Sequence, residues 1–270
     1  MKPDWGYYGT YDESAHPDLW NGVVGYWAPC LGPTGLRLHD VSRGNNWGTL
    51  TNMDAASDWV VDGGQYALDF DGSNDFVSVN IVPIAGACSI AFWFKPSSVA
   101  GGAGGARSLF SDTTAGGLAQ SLQVELGRTN NRLGALWTDA LILTNASDLS
   151  ANQIYHVVFI RKGYTGSWTA EFYVDGKADG SATTALNPAS AGAFSIGRPG
   201  GFNGQYYGGE IFELTAWNRA ISLNEAKAIY DLRIGGMLQR RRRRRVYTEQ
   251  AGFRGYYATQ RAQLIGGGLR

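Results

Sequence analysis

Ala67-Leu68-Asp69-Phe70-Asp71-Gly72-Ser73-Asn74-Asp75-Phe76-Val77 is the stretch that decides how this chain folds. With Tyr66 before it, the apolar pair Leu68 and Phe70 alternates with Ala67 and Asp69, the period of a strand buried on one face. The run stops at Asp71 to Asp75, where short side chains that bond to nearby amides and a glycine that accepts positive φ favour a turn. Strand, tight loop and strand again is the unit, and it recurs on both sides.

Toward the C-terminus, Ile90, Phe92 and Phe94 alternate with Ala91, Trp93 and Lys95, and Leu122, Val124 and Leu126 alternate with Gln123 and Glu125. Both runs predict half-buried strands whose polar positions face solvent. Residues 154–160 are apolar on both faces apart from His156, as in a covered central strand, so His156 reads as a core or edge residue. Phe172 and Val174 lead into Asp175-Gly176, a dipeptide suited to a two-residue hairpin. Phe194-Ser195-Ile196 and Ile211 to Trp217 supply two late strands around the glycine-rich loop 198–209. Ser222-Leu223-Asn224-Glu225 fits a capping box and predicts a short helix to about Leu232. Residues 1–21 hold Trp5, Tyr7, Tyr8, Tyr11 and Trp20 without a period and read as an aromatic arm.

With 44% hydrophobic residues the chain has ample material for a core, and 38 glycines spread among short apolar runs match many tight turns. The zero net charge hides an asymmetry. Up to Leu232 there are 13 basic and 22 acidic residues, net −9; from Arg233 there are 10 basic and 1 acidic, net +9. Such a split suggests that the tail meets an acidic surface. Cys30 and Cys88 are too few for a disulfide framework or a metal finger, which leaves two buried thiols or a single bridge. The first residues lack the apolar stretch of a secretory signal, and no run of about 18 apolar residues could span a bilayer. Synthesis in the cytoplasm without a signal peptide is the expectation.

Four stretches, in this order, resemble laminin-G-like and concanavalin-A-like jelly-roll domains over about residues 22–232. The first is Gly22-Val23-Val24-Gly25-Tyr26-Trp27 with the loop pattern D-x-S-x-x-x-N-x-G-T carried by Asp40, Ser42, Asn46, Gly48 and Thr49. The second is the run 67–77 itself, the third Phe172 to Lys177, and the fourth Gly209-Glu210-Ile211 through Trp217 to Ser222. The resemblance implies an all-β fold, a two-sheet antiparallel jelly-roll sandwich with one short C-terminal helix. The arm 1–21 would precede it and a basic, extended, arginine-rich tail, 233–270, would follow. The family includes lectins, adhesion modules, glycan-binding appendages and some hydrolases, and fold alone does not choose among them. The layout of aromatic arm, sandwich and arginine run is also similar to laminin-G-like proteins of tailed phages. That likeness implies a virion-surface component, decorating a capsid or tail, whose termini tie it to other protomers or shell proteins.

Among candidate sites, a retaining glycosidase needs two carboxyls about 5 to 5.5 Å apart. The nearest pair, Glu210 and Glu213, is spaced by three, which in a regular strand sends the side chains to opposite faces, so a non-enzymatic role is expected. Calcium is the credible cofactor, since it wants six to eight oxygens and Asp71, Asn74 and Asp75 offer some, with Asp40 or Glu213 as further partners; an ordinary turn has the same composition. For glycans, an aromatic platform with a few polar groups is sought, and Trp47, Asn203, Gln205, Tyr206 and Tyr207 are the candidates, with Trp137 and Trp168 near other loops. Arg240, Arg241, Arg242, Arg243, Arg244 and Arg245 are followed by Val246, Tyr247, Phe253, Tyr256 and Tyr257, so charge interleaved with apolar anchors points to a partner. Arginines also neutralise phosphates, which makes nucleic acid the alternative; the acidic body favours a neighbouring protomer or shell protein. A free lectin module and, behind it, a glycan hydrolase are the competing functions.

Overall fold

The computed structural model describes residues 15–79, 86–99, 105–113, 122–137, 140–187, 193–199 and 205–238. Two sheets of eight strands face one another, and every strand pairing within them is antiparallel. The first sheet runs β14 (Lys177–Thr184), β13 (Ser167–Val174), β12 (Tyr155–Tyr164), β7 (Cys88–Pro96), β16 (Gly208–Trp217), β5 (Gln65–Asp71), β4 (Trp59–Asp62), with β1 (Val23–Trp27) pairing the far end of β16. The second runs β11 (Ala140–Thr144), β10 (Leu133–Trp137), β9 (Leu122–Leu126), β8 (Arg107–Thr113), β15 (Ala193–Ile196), β6 (Phe76–Val79), β3 (Gly48–Thr51), β2 (Arg37–Leu38). This is the expected jelly-roll sandwich.

The core forms because one side chain in two on each strand points between the sheets. In β7, Cys88, Ile90, Phe92 and Phe94 enter it, while Ala91 and Trp93 turn to the opposite face of the first sheet. That opposite face is covered by α1 (Pro17–Trp20), by α2 (Leu223–Leu232) and by the turn Gly236–Leu238, whose Met237 is buried. The packed body therefore extends past Leu232, and Trp20, read as part of an arm, is a buried member of this second layer. Residues 1–14 and 239–270 lie outside the described residues.

The local signals explain the loops. Asp40 accepts from the amides of Tyr26 and Ser42 through Oδ1 and of Asn46 through Oδ2, while the Asn46 amide group donates to Val24 O. One buried carboxylate thus ties β1 to the loop before β3, which is the work of the D-x-S-x-x-x-N pattern. At the hairpin joining β13 and β14, Asp175 and Gly176 both take positive φ, 49° and 74°. Ser222 accepts from Glu225 N while the Glu225 carboxylate accepts from Ser222 N, completing the capping box.

Two expectations are corrected. Gln123 and Glu125 do point away from the core, yet they are 1% and 0% exposed rather than solvated. The register shifts between Ile211 and Glu213 on β16, so Phe212 is an extra residue and Glu213 lies on the same face as Glu210. As for the thiols, Cys88 sits between the sheets and Cys30 packs on the opposite face of the first one, so no disulfide joins them.

Candidate functional site

The loop Asp71 to Asp75, between β5 and β6, meets three other segments at one rim of the sandwich. Ser108 N, at the start of β8, donates to Gln205 O over 2.9 Å, and Ser108 pairs with Tyr206. Tyr207 N donates to Gly197 O just before Arg198 (2.8 Å). A Cβ on Gly72 would stand 3.4 Å from Gly208 Cα and 3.6 Å from Arg107 Nη1, so the loop, the segment before β16 and Arg107 are in contact only because no side chain intervenes. The Arg198 guanidinium lies 3.8 Å over the centre of the Phe76 ring. Asp71, Arg107, Arg198, Gln205 and Tyr206 are thus gathered from four separate parts of the chain.

Both arginines carry an Nε that is sealed from solvent and has no partner. An unsatisfied buried donor costs about 1–3 kcal/mol, more when charged, so the fold holds these side chains in place against a penalty. The carboxylates of the loop do not relieve it. Asp71 Oδ1 accepts from the amides of Ser73, Asn74 and Asp75, and Asp75 Oδ2 accepts from Asp71 N. Burial pushes Asp71 up, but those amides outweigh it and hold the carboxyl below the ordinary range; Asp75 is raised, chiefly by burial.

This geometry bears on calcium. Asp71 Oδ1 is surrounded by N–H donors, the Asn74 carbonyl oxygen accepts from Asn52 Nδ2, and cationic Arg107 stands beside Gly72. Among the described residues no three His, Cys, Asp or Glu side chains converge as a metal-holding group. Asp40 is committed to three amides, and Glu213 Oε2 accepts from Tyr26 Oη (2.9 Å), Gly235 N (2.6 Å) and Cys30 Sγ. The oxygens present do not fit a six- to eight-oxygen shell.

Of the residues sought for glycans, Gln205 and Tyr206 lie half-buried in the rim. Tyr207 is corrected: it is 0% exposed, packs edge-on against Phe70 and Phe94, and donates its hydroxyl to Glu210 O, so it is core. Trp47 is elsewhere, on the edge of the second sheet, half-buried with His39 stacked at 4.4 Å and Arg37 over its ring at 4.3 Å. Trp137 and Trp168 are buried and flank Arg161 at 6.0 and 5.9 Å. Asn203 and Arg240 to Arg245 lie outside the described residues. Glu210 and Glu213 share a face without sharing partners: Glu210 pairs with Lys95 at 3.1 Å, while Glu213 is sealed by Tyr26 and Gly235.

Sequence reasoning missed Arg107 and Arg198. Each follows a glycine closely, Gly105-Ala106-Arg107 and Gly197-Arg198, and a lone cation set into a glycine-rich turn was the available signal. It also missed a polar row on the face of the second sheet turned from the core, where Ser78, Ser195, Ser111 and Gln123 stand directly opposite one another on four adjacent strands. Beside it Glu125 is held by Gln123 Nε2 (2.9 Å) and Arg128; burial raises its pKa and Arg128 opposes the rise.

Residues 71–227 match the family described as the concanavalin A-like lectin/glucanases superfamily. No curated protein matches the chain in sequence. Among solved structures, domain 4 of an extracellular arabinanase from Geobacillus stearothermophilus, in complex with arabinotriose, is similar with a TM-score of 0.56 and 15% identity over 76% of this chain and 97% of that one. A Trypanosoma rangeli sialidase in complex with sialic acid gives 0.57 and 17% over 80% of this chain, which spans only 33% of the sialidase. The binding domain of Paraclostridial mosquitocidal protein 1 gives 0.59 and 13%, over 78% of this chain and 52% of that one. At these identities the likeness is one of fold.

Proposed function

The chain belongs to the concanavalin A-like lectin/glucanase superfamily, and from that premise we propose that it binds glycans, without cleaving them, at the rim formed by Asp71, Arg107, Arg198, Gln205 and Tyr206. The observation that carries this reading is the convergence of four chain segments on one rim that offers an aromatic ring, an amide and two guanidinium groups. Sugar rings stack on aromatic faces, and their hydroxyls pair with amides and charged groups. The arabinanase domain of similar fold, in complex with arabinotriose, supports the same class of ligand. A binding role without hydrolysis is supported by the separate engagements of Glu210, paired with Lys95, and Glu213, which accepts from Tyr26 and Gly235.

The test is a glycan array probed with the full chain and with Tyr206→Ala, followed by chromatography of any bound glycan after long incubation. The reading expects a defined set of ligands, lost or reduced in the variant, and recovered intact. A blank array, or shortened glycans, counts against it.

A second reading concerns the tail. The contrast between a body of net −9 and a tail of net +9 favours its arginine run as a fastening to another protomer or to an acidic shell protein, as a virion-surface component would require. Binding of the full chain, and not of a truncation, to copies of itself or to assembled shells is the corresponding test.

A further inference from the structure

Arg107 and Arg198 flank the same loop, one beside Gly72 and the other over Phe76. Neither Nε has a hydrogen-bond partner, and among the described residues no ion pair joins either side chain to a carboxylate. Three other arginines of the body are closed on carboxylates, Arg128 on Glu125, Arg132 on Asp148 and Arg219 on Glu225. The carboxylates of the loop that both arginines flank, Asp71 and Asp75, are turned into the loop and hold its own amides. Two positive charges are therefore held at one rim, each with one N–H already cut off from water and without a counter-charge.

A guanidinium presents its N–H groups in a planar fork that matches a planar carboxylate, and such charge-assisted pairs are stronger than neutral ones. Gln205 and Tyr206 lie alongside, joined through their backbone to Ser108, the residue after Arg107. Resting on the glycan-binding reading, we infer that the rim selects glycans bearing a carboxylated sugar unit, the carboxylate seated against Arg107 and Arg198. Neutral sugars meet the same ring and amide but leave both cations uncompensated. Sulfate esters share the charge but have a tetrahedral head that fits a planar fork less well.

The experiment is calorimetric titration of the wild-type full chain with sialyllactose and with tetragalacturonate, each against its carboxyl-reduced alcohol, and with 3′-sulfolactose as a further arm. The inference expects at least one carboxylated ligand to bind about tenfold or more tighter than its reduced counterpart and than the sulfated sugar, with affinity falling as salt rises. Arg107→Gln and Arg198→Gln, checked by thermal melting to be folded, should each erase most of the ratio between the affinities for acid and alcohol. Equal binding of acid and alcohol overturns the inference while glycan binding stands, as does a preference for the sulfated sugar. Absence of binding to every ligand overturns both. The wild-type comparison of acid with alcohol decides the matter even where a variant fails to fold.

Discussion

At the scale of single residues, the chain's acidic side chains act mainly as fasteners. Asp71 gathers three amides of its own loop, so Asp71→Ala should cost about 1–2 kcal/mol, read by urea denaturation, and the loss should be the same with and without calcium. Calcium dependence would assign the loop to a cation instead. Two buried groups set opposite pH limits. Burial pushes Glu213 up to about 7 from 4.5, against the opposing donors Gly235, Tyr26 and Cys30. A carboxyl raised on folding stabilises fully below its unfolded pKa, so that contribution, on the order of 3 kcal/mol, is lost as pH climbs from 4.5 through 7. His156, whose ring nitrogens have no partner, is depressed by burial from 6.5 to about 3. Its contribution is present above pH 6.5 and lost as pH falls toward 3. Thermal melts across pH should therefore show Glu213→Gln more stable than the parent at alkaline pH, and a flatter acid limb for His156→Phe.

At the scale of elements, α2 lays its Tyr230 ring against Trp93 and His156 and begins at the Ser222 capping box. Ser222→Ala should cost about 1 kcal/mol in chemical denaturation and speed hydrogen exchange in α2 before the strands. The strands were legible in sequence because their pattern is a local property: 66–70, 88–96 and 122–126 each announce one buried face by alternation, and 155–160 announces two by a run that is apolar apart from His156. What alternation could not carry was long-range. The bulge at Phe212 places Glu213 on the face of Glu210 because β16 must serve β7 along its length and β5 and β1 at either end. Polar positions on β9 were read as solvated because period two names a face and not what lies over it. The loop at 71–75 and Gln205 and Tyr206 were found from turn and aromatic content, whereas Arg107 and Arg198 join them only through the register of β8 and β15.

At the scale of the whole molecule, the body continues to Leu238, with Gly235 bonded to Glu213 and Met237 buried, so a truncation there leaves the packed layer intact. Light scattering should show the full chain as a defined oligomer and the 1–238 chain as a monomer if the arginine tail ties copies together; monomers in both cases would direct the tail to another partner. The central claim is that the rim of the sandwich is the glycan site. Deuterium uptake of the full chain, with and without a ligand found on the array, tests it most directly. Protection should be confined to peptides covering 71–76, 107–110 and 205–208. Protection instead over 37–47, around Trp47, or none at a ligand concentration that saturates binding, would contradict it.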